Sequence, residues 1–387
     1  MKLALVQFRP SLGNKQKNLN RLELLLREHR RLPAGPAPPL PDRQYPRSRR
    51  SPRSERSSRS PRSPPARLPS SRYRAQPSFR SPSLPLERPP PAPLPSELWH
   101  HPPRQAGPLR LQPPQSPLPR PPSHPSRRRS TRSRRSSGSP PGSSEGGADI
   151  YFFPEMALTG YSVKDDVSRL AETIDGPSVR RLSSLSQELG CGIVAGMPEL
   201  DTDLRGHIYN SAVLALPGGK VAAYRKCHPA NFGPFDEKRY FASGREAPVF
   251  PTPWGKVGII ICYDLFFPEL AKAMALRGAE LVVDLSASPV TTRRFFEMVG
   301  PARAVEDTVF FAYTNLVGTE GPFEFWGGAY VCGPRGELKA RGPYFEEAVV
   351  EAELDFGEIE VARPLRHTLR DTRAEIVDEL MNAVKGQ

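Results

Sequence analysis

Between Arg31 and Gly147 the chain is written in proline, serine and arginine, and text of that kind cannot build a core. Residues 31–148 carry 31 of the 48 prolines, 23 arginines, no lysine and five acids. Too little apolar surface is available there to offset the cost of ordering the backbone, so 31–147 reads as a disordered insert. Its charge of +18 exceeds the +14 of the whole chain and leaves −4 for the remainder. A basic average ordinarily points to nucleic acid, but here it belongs to one stretch. A structureless loop of this length argues against simple domain continuity. The insert is read as a regulatory insertion, a basic interaction tail looped out mid-domain, or an artefact of the gene model. The last two are preferred jointly, because nothing in the segment is periodic.

What folds must therefore come from 1–30 and from 148 onward, a mildly acidic set with four scattered cysteines, Cys191, Cys227, Cys262 and Cys332. Their spacing suits neither a disulfide framework nor a zinc ribbon, which fits a reducing, cytoplasmic setting. No apolar run approaches the ~18 residues of a membrane span, and the N-terminus lacks a signal-peptide pattern. Strands are expected at 2–8, 150–153, 191–195, 207–216, 220–225, 255–261, 281–285, 308–315, 325–333, 337–341 and 349–354. Helices are expected from an Asn14 N-cap to about Arg30, and at 177–189, 268–277, 294–306 and 372–384, the last with a polar face. Alternating strands and helices, recurrent hairpins and strands apolar on both faces suggest two mixed sheets with helices outside.

The most informative run is Gly258-Ile259-Ile260-Ile261-Cys262-Tyr263-Asp264, followed by Phe267-Pro268-Glu269-Leu270. A β-branched strand stops at a lone cysteine, and a helix with proline in its first turn follows. A side chain on such a strand-to-helix turn is lifted from the sheet beside fresh backbone N–H groups, which suits a nucleophile and its oxyanion. Taken alone, Cys262 reads more simply as a small buried hydrophobe. Three charged residues sit at or near other strand ends. Glu155, after Ile150 to Phe153 and Pro154, is by default a solvated loop acid. Placed straight after a buried run beside aromatics, it is instead desolvated, as a general base requires. Lys226 closes Val221 to Arg225; partly buried beside a carboxylate, it becomes a fixed ammonium for an oxyanion. Glu237 reads as a surface charge. His207 and His228 lack ligand-like spacing, so no metal site is expected.

Taken together, Phe153-Pro154-Glu155 with Leu158-Thr159-Gly160-Tyr161, then Tyr224-Arg225-Lys226-Cys227-His228, Phe235-Asp236-Glu237 and Cys262-Tyr263-Asp264 with Phe267-Pro268-Glu269 resemble the nitrilase superfamily of carbon–nitrogen hydrolases in order and spacing. The resemblance covers 1–30 and about 148 to the C-terminus. It implies an α/β fold, a four-layer αββα sandwich of two mixed β-sheets with outer helices. It also implies a catalytic triad of Glu155, Lys226 and Cys262, with Glu237 steadying the lysine and the Tyr263 backbone N–H as an oxyanion donor. No cofactor is implied. Tyr263-Asp264 after the cysteine is more similar to amidases and carbamoylases than to nitrilases. The expected reaction is hydrolysis of a small amide or N-carbamoyl compound through a cysteine thioester. The alternatives are a nitrilase acting on small nitriles, or a non-catalytic scaffold whose basic insert binds nucleic acid. Tyr161, Phe267, Ser286 and Ala287 are expected to line the substrate pocket. The hydrolase domain is read as 1–30 plus 148–354, with 355–387 as a C-terminal extension forming a homo-oligomer interface.

Overall fold

The computed structural model describes residues 1–31 and 147–386; readings that fall on the insert between them lie outside the described residues. In chain order the strands are β1 (Lys2–Gln7), β2 (Ile150–Phe152), β3 (Gly192–Leu200), β4 (Ile208–Ala215), β5 (Val221–Arg225), β6 (Val249–Thr252) and β7 (Gly255–Ile261). They continue with β8 (Leu281–Ser286), β9 (Phe310–Asn315), β10 (Val317–Glu320), β11 (Phe323–Trp326), β12 (Tyr330–Cys332), β13 (Leu338–Arg341) and β14 (Ala348–Glu353). The helices are α1 (Lys15–Arg31), α2 (Val167–Leu170), α3 (Pro177–Leu189), α4 (Pro268–Leu276), α5 (Arg293–Asp307), α6 (Gly357–Ala362) and α7 (Ala374–Lys385).

Two six-stranded sheets result, ordered β14-β1-β2-β3-β4-β5 and β13-β12-β9-β8-β7-β6. Each holds three parallel strands, β1-β2-β3 and β7-β8-β9, flanked by antiparallel ones. Strand alternation decides which layer each side chain joins. Leu3, Leu5, Ile150, Phe152 and Val194 face the second sheet and share a core with Ile259, Ile261 and Val283. Their neighbours Ala4, Val6, Tyr151, Phe153 and Ile193 face outward and are covered by Leu19, Leu22 and Leu26 of α1 and by Val179, Leu182 and Leu185 of α3. Beyond the second sheet, Leu270 and Met274 of α4 and Phe296 and Ala304 of α5 complete the core. The layers run helix, sheet, sheet, helix: an αββα sandwich.

Most expected elements form with edges shifted by a residue or two, while β3 runs on to Leu200, five residues past its expected end; Asn14 caps α1 by accepting from Lys17 N at 3.1 Å. Three differences have physical causes. The strand expected over 325–333 is two strands, because Gly327 and Gly328 both take φ of 62° and turn the chain between β11 and β12. The short β6, absent from the expected set, holds Pro251, which a strand at a sheet edge accommodates. The C-terminal helix is not simply polar: Ile376, Val377, Leu380, Met381 and Val384 are exposed along it. Among the described residues no helix is long and apolar enough to cross a membrane.

Candidate active site

Strand ends deliver the charged residues to one place. β7 stops at Ile261, and Cys262 follows with φ of 52°, a left-handed conformation that costs a non-glycine residue roughly 1–3 kcal/mol and persists only where its surroundings enforce it. The enforcement is visible. Cys262 N donates to Asp284 Oδ1 of β8 at 2.6 Å, and Ile261 N donates to Asp264 Oδ2 at 3.2 Å. Asp264 also accepts from Tyr224 Oη at 2.7 Å and from His228 N at 2.9 Å. The His228 ring lies flat on Phe267, centroids 3.5 Å apart. The turn that carries Cys262 is thus tied to β5, β8 and the start of α4.

From the first sheet come Glu155, just past β2, and Lys226, just past β5. Both are wholly buried. Lys226 Nζ donates to Glu155 Oε1 at 2.8 Å and to Glu237 Oε1 at 2.9 Å. Glu155 accepts further from Asn210 Nδ2 at 2.6 Å and from Ala287 N at 2.7 Å. Glu237, buried in a single 3-10 turn, accepts from Tyr161 Oη at 2.6 Å and Ala230 N at 3.1 Å. Gly196 of β3 permits this closeness, since a Cβ there would overlap Met156 N and Pro154 O in the loop bearing Glu155.

The electrostatics follow from burial. Desolvation raises the Cys262 thiol well above its ordinary value; the Glu155 carboxylate pushes the same way and the Lys226 ammonium opposes. Burial thus favours the thiol over the thiolate at Cys262. Burial would lower the Lys226 pKa, but the charges of Glu155 and Glu237 outweigh it and hold the ammonium protonated. Glu237 is raised by burial, with Lys226 pulling it back. Asp284 is raised well above the usual carboxylate range by burial, and its Oδ2 has no hydrogen-bond partner.

Cys262 opens on a cleft of about 240 Å³. Its walls are Phe232, Phe235, Tyr263, Phe266, Phe295 and Phe296, with Ser288 and Thr292 at one side. The four residues expected to line a pocket lie around it in other capacities. Tyr161 holds Glu237, Ala287 N holds Glu155, Ser286 Oγ donates to Asp284 at 3.2 Å, and Phe267 backs His228. Asn210 and Asp284 are contacts that sequence reading missed. The available signal for Asp284 was a lone acid inside the apolar run Leu281 to Leu285. A larger hollow, about 700 Å³, includes Glu199, Asp201 and Arg225. There Arg225 is ion-paired to the two acids at 2.6 and 2.8 Å, and no residue of the buried cluster lines it. Among the described residues no three His, Cys, Asp or Glu side chains converge as metal ligands.

A buried Glu-Lys-Glu cluster thus lies near a cysteine on a strained turn, at the strand ends of an αββα sandwich. The carbon-nitrogen hydrolase family model matches residues 2–364, and the chain belongs to that family, within the nitrilase superfamily; its reaction class is hydrolysis of carbon–nitrogen bonds. A hydrolase encoded in the pqqF 5′ region of Pseudomonas protegens is 34% identical over 235 residues, 60% of this chain and 81% of that protein. Omega-amidase NIT2-B of Xenopus laevis is 34% identical over 238 residues, 58% of this chain and 84% of its own. Among solved structures, a carbon-nitrogen hydrolase from Helicobacter pylori G27 is 26% identical, covering 60% of this chain and 86% of that one with a TM-score of 0.56.

Proposed function

We propose that this chain hydrolyses a small amide or N-carbamoyl compound through a thioester on Cys262, releasing ammonia or an amine. The observation that carries the reading is the Lys226 ammonium fixed between Glu155 and Glu237 beside a cysteine that opens on a cleft. Amidases among the relatives, such as the Xenopus omega-amidase, support it. Glu155 takes the Sγ proton as sulfur attacks the carbonyl carbon, so that an S–C bond forms and the carbonyl π pair moves to oxygen. Lys226 and the Tyr263 backbone N–H hold that oxyanion. Its collapse breaks the C–N bond, and Glu155 returns the proton to the departing nitrogen. Glu155 then accepts a proton from water as hydroxide adds to the thioester, and the sulfur leaves and is reprotonated. Glu237, tied by Tyr161 and Ala230 N, keeps Lys226 in place.

The test is ammonia release from matched amides, carbamoyl compounds and nitriles, with mass spectrometry of the trapped protein. The expected result is an acyl adduct on Cys262 and release that vanishes in Cys262→Ala. Release undiminished in that variant sinks the reading, and turnover of nitriles alone would move the chain to the nitrilase alternative. The same panel on a 31–147 deletion asks whether the insert bears on activity: equal rates mean the domain is 1–30 plus 148 onward. The exposed apolar side chains of α7 support a homo-oligomer interface in 355–387. Sedimentation of the full chain as a monomer at micromolar concentration counts against that interface.

A further inference from the structure

We propose that the substrate's acyl group is neutral and apolar, aromatic or branched aliphatic, and that amides and carbamoyl compounds bearing a carboxylate are excluded. This rests on the reading above that Cys262 is the reacting atom.

The cleft wall is aromatic and uncharged. Phe235, Phe232, Tyr263, Phe266 and Phe296 form an unbroken chain of rings, with successive centroids 5.3, 4.8, 5.9 and 5.1 Å apart. Tilted and edge-on pairs of this kind hold one another in place, so the wall is preformed, and it offers ring faces and edges to another ring. The two aliphatic hydroxyls at its side are already engaged. Ser288 Oγ and Thr292 Oγ1 are 2.8 Å apart, Thr292 Oγ1 lies 2.9 Å from Pro289 O, and Ser288 Oγ accepts from Trp326 Nε1 at 3.3 Å. No Lys, Arg or His is among the described residues lining the cleft. Among the described residues the one buried ammonium nearby, Lys226, already donates to two carboxylates, and on the reading above its remaining N–H serves the oxyanion, which leaves no cation for a carboxylate farther along the acyl group. A carboxylate on the substrate would lose its water here and meet no cation. A volume of about 240 Å³, roughly eight waters at ~30 Å³ each, limits the guest to a small molecule. Phe232 and Phe295, 47% and 50% exposed at the rim, extend the apolar path outward.

Two readouts on the full chain test this. In the first, ammonia release is compared for phenylacetamide and isobutyramide against succinamate and N-carbamoyl-β-alanine; kcat/KM is expected to be at least about 100-fold higher for the neutral pair. In the second, the rate of Cys262 alkylation by iodoacetamide is followed by mass spectrometry. Phenylacetamide is expected to protect at a concentration at least about tenfold lower than succinamate. Phe295→Arg, at a half-exposed position, is expected to narrow both ratios by bringing a cation to the rim. Equal or faster turnover of the charged amides overturns the proposal and leaves the hydrolase reading intact. If no compound releases ammonia, the hydrolase reading fails, and protection still decides the point. No protection by phenylacetamide, or equal protection by succinamate, overturns the apolar preference.

Discussion

Two buried carboxyl groups contact the Cys262 region from opposite sheets, and they are built in opposite ways. Glu155, from the first sheet, is surrounded by donors: an ammonium, an amide N–H and a backbone N–H all reach its two oxygens. Asp284, from the second, receives the Cys262 N–H and the Ser286 hydroxyl on one oxygen only. With its other oxygen unpartnered among the described residues, burial raises its pKa and favours the neutral acid form. The difference teaches how one fold assigns roles to equal chemistry. Three donors fix Glu155 through both of its oxygens; their scarcity around Asp284 leaves a bracket that holds the strained turn by one oxygen.

The contrast can be broken most severely at the reacting groups. Glu155→Gln is expected to lower kcat by about 10³-fold or more, whereas Asp284→Asn, which preserves shape and the acceptor oxygen, is expected to stay within about threefold. Equal losses in the two variants, measured on one amide, would erase the distinction. Next comes Lys226→Met, which strands two buried carboxylates at a cost of about 3–5 kcal/mol. Without the ammonium the Glu237 carboxyl, already raised by burial, loses the charge that pulls it back. The variant should therefore be closest to wild type at acid pH and lose stability as pH rises through the raised Glu237 value. Denaturant melts at pH 5 and pH 8 check this, and a deficit independent of pH argues that packing rather than charge is lost. Gly196→Ala is expected to cost about 1–3 kcal/mol through overpacking against the Glu155 loop, with a matching fall in kcat. A variant stable but inactive would sharpen the case that the loop's position matters more than its existence.

The smallest effect concerns Asp284 itself. Its folded pKa lies above the ordinary 3.8, so the stability its proton contributes is complete below that value and is lost as pH rises through the folded pKa. Asp284→Asn removes that loss. It should match wild type in mild acid and exceed it modestly at alkaline pH in thermal melts; a variant weaker at every pH would mean the carboxylate form is the native one.

Much of this was legible in the residues. A β-branched run that ends at Cys262 before Pro268 announces a strand, a turn and a helix, and the buried runs before Glu155 and Lys226 placed both at strand ends. The parts that could not be read depend on contacts distant in sequence. Asp284 interrupts an apolar strand like any other acid, and only the register of β7 beside β8 brings it to Cys262 N. The cleft wall joins a loop at 232–235, the turn at 263–266 and the first turn of α5; no single stretch displays that set. Tyr161 and Ala287 do lie at the site, but they grip its carboxylates. Opposite the polar face of α7, apolar positions recur along the helix with no partner among the described residues to mark them as buried.

One feature near the interruption reaches beyond catalysis. Arg30 Nη1 donates to Ala148 O at 2.8 Å, His29 Nδ1 and Tyr151 Oη are 2.9 Å apart, and Asp149 N donates to Lys2 O at 2.7 Å. The two sides of the break are laced together by the hydrolase core itself, with β1 seated between β14 and β2. The chain can thus be divided there into two pieces whose recognition surface is already complete, one supplying a central strand and helix, the other everything that reacts. Residues 1–31 co-expressed with 147–387 should reconstitute ammonia release that neither fragment shows alone. The protein would then act as a reporter of encounter, its catalysis switched on by the meeting of whatever the two fragments are fused to.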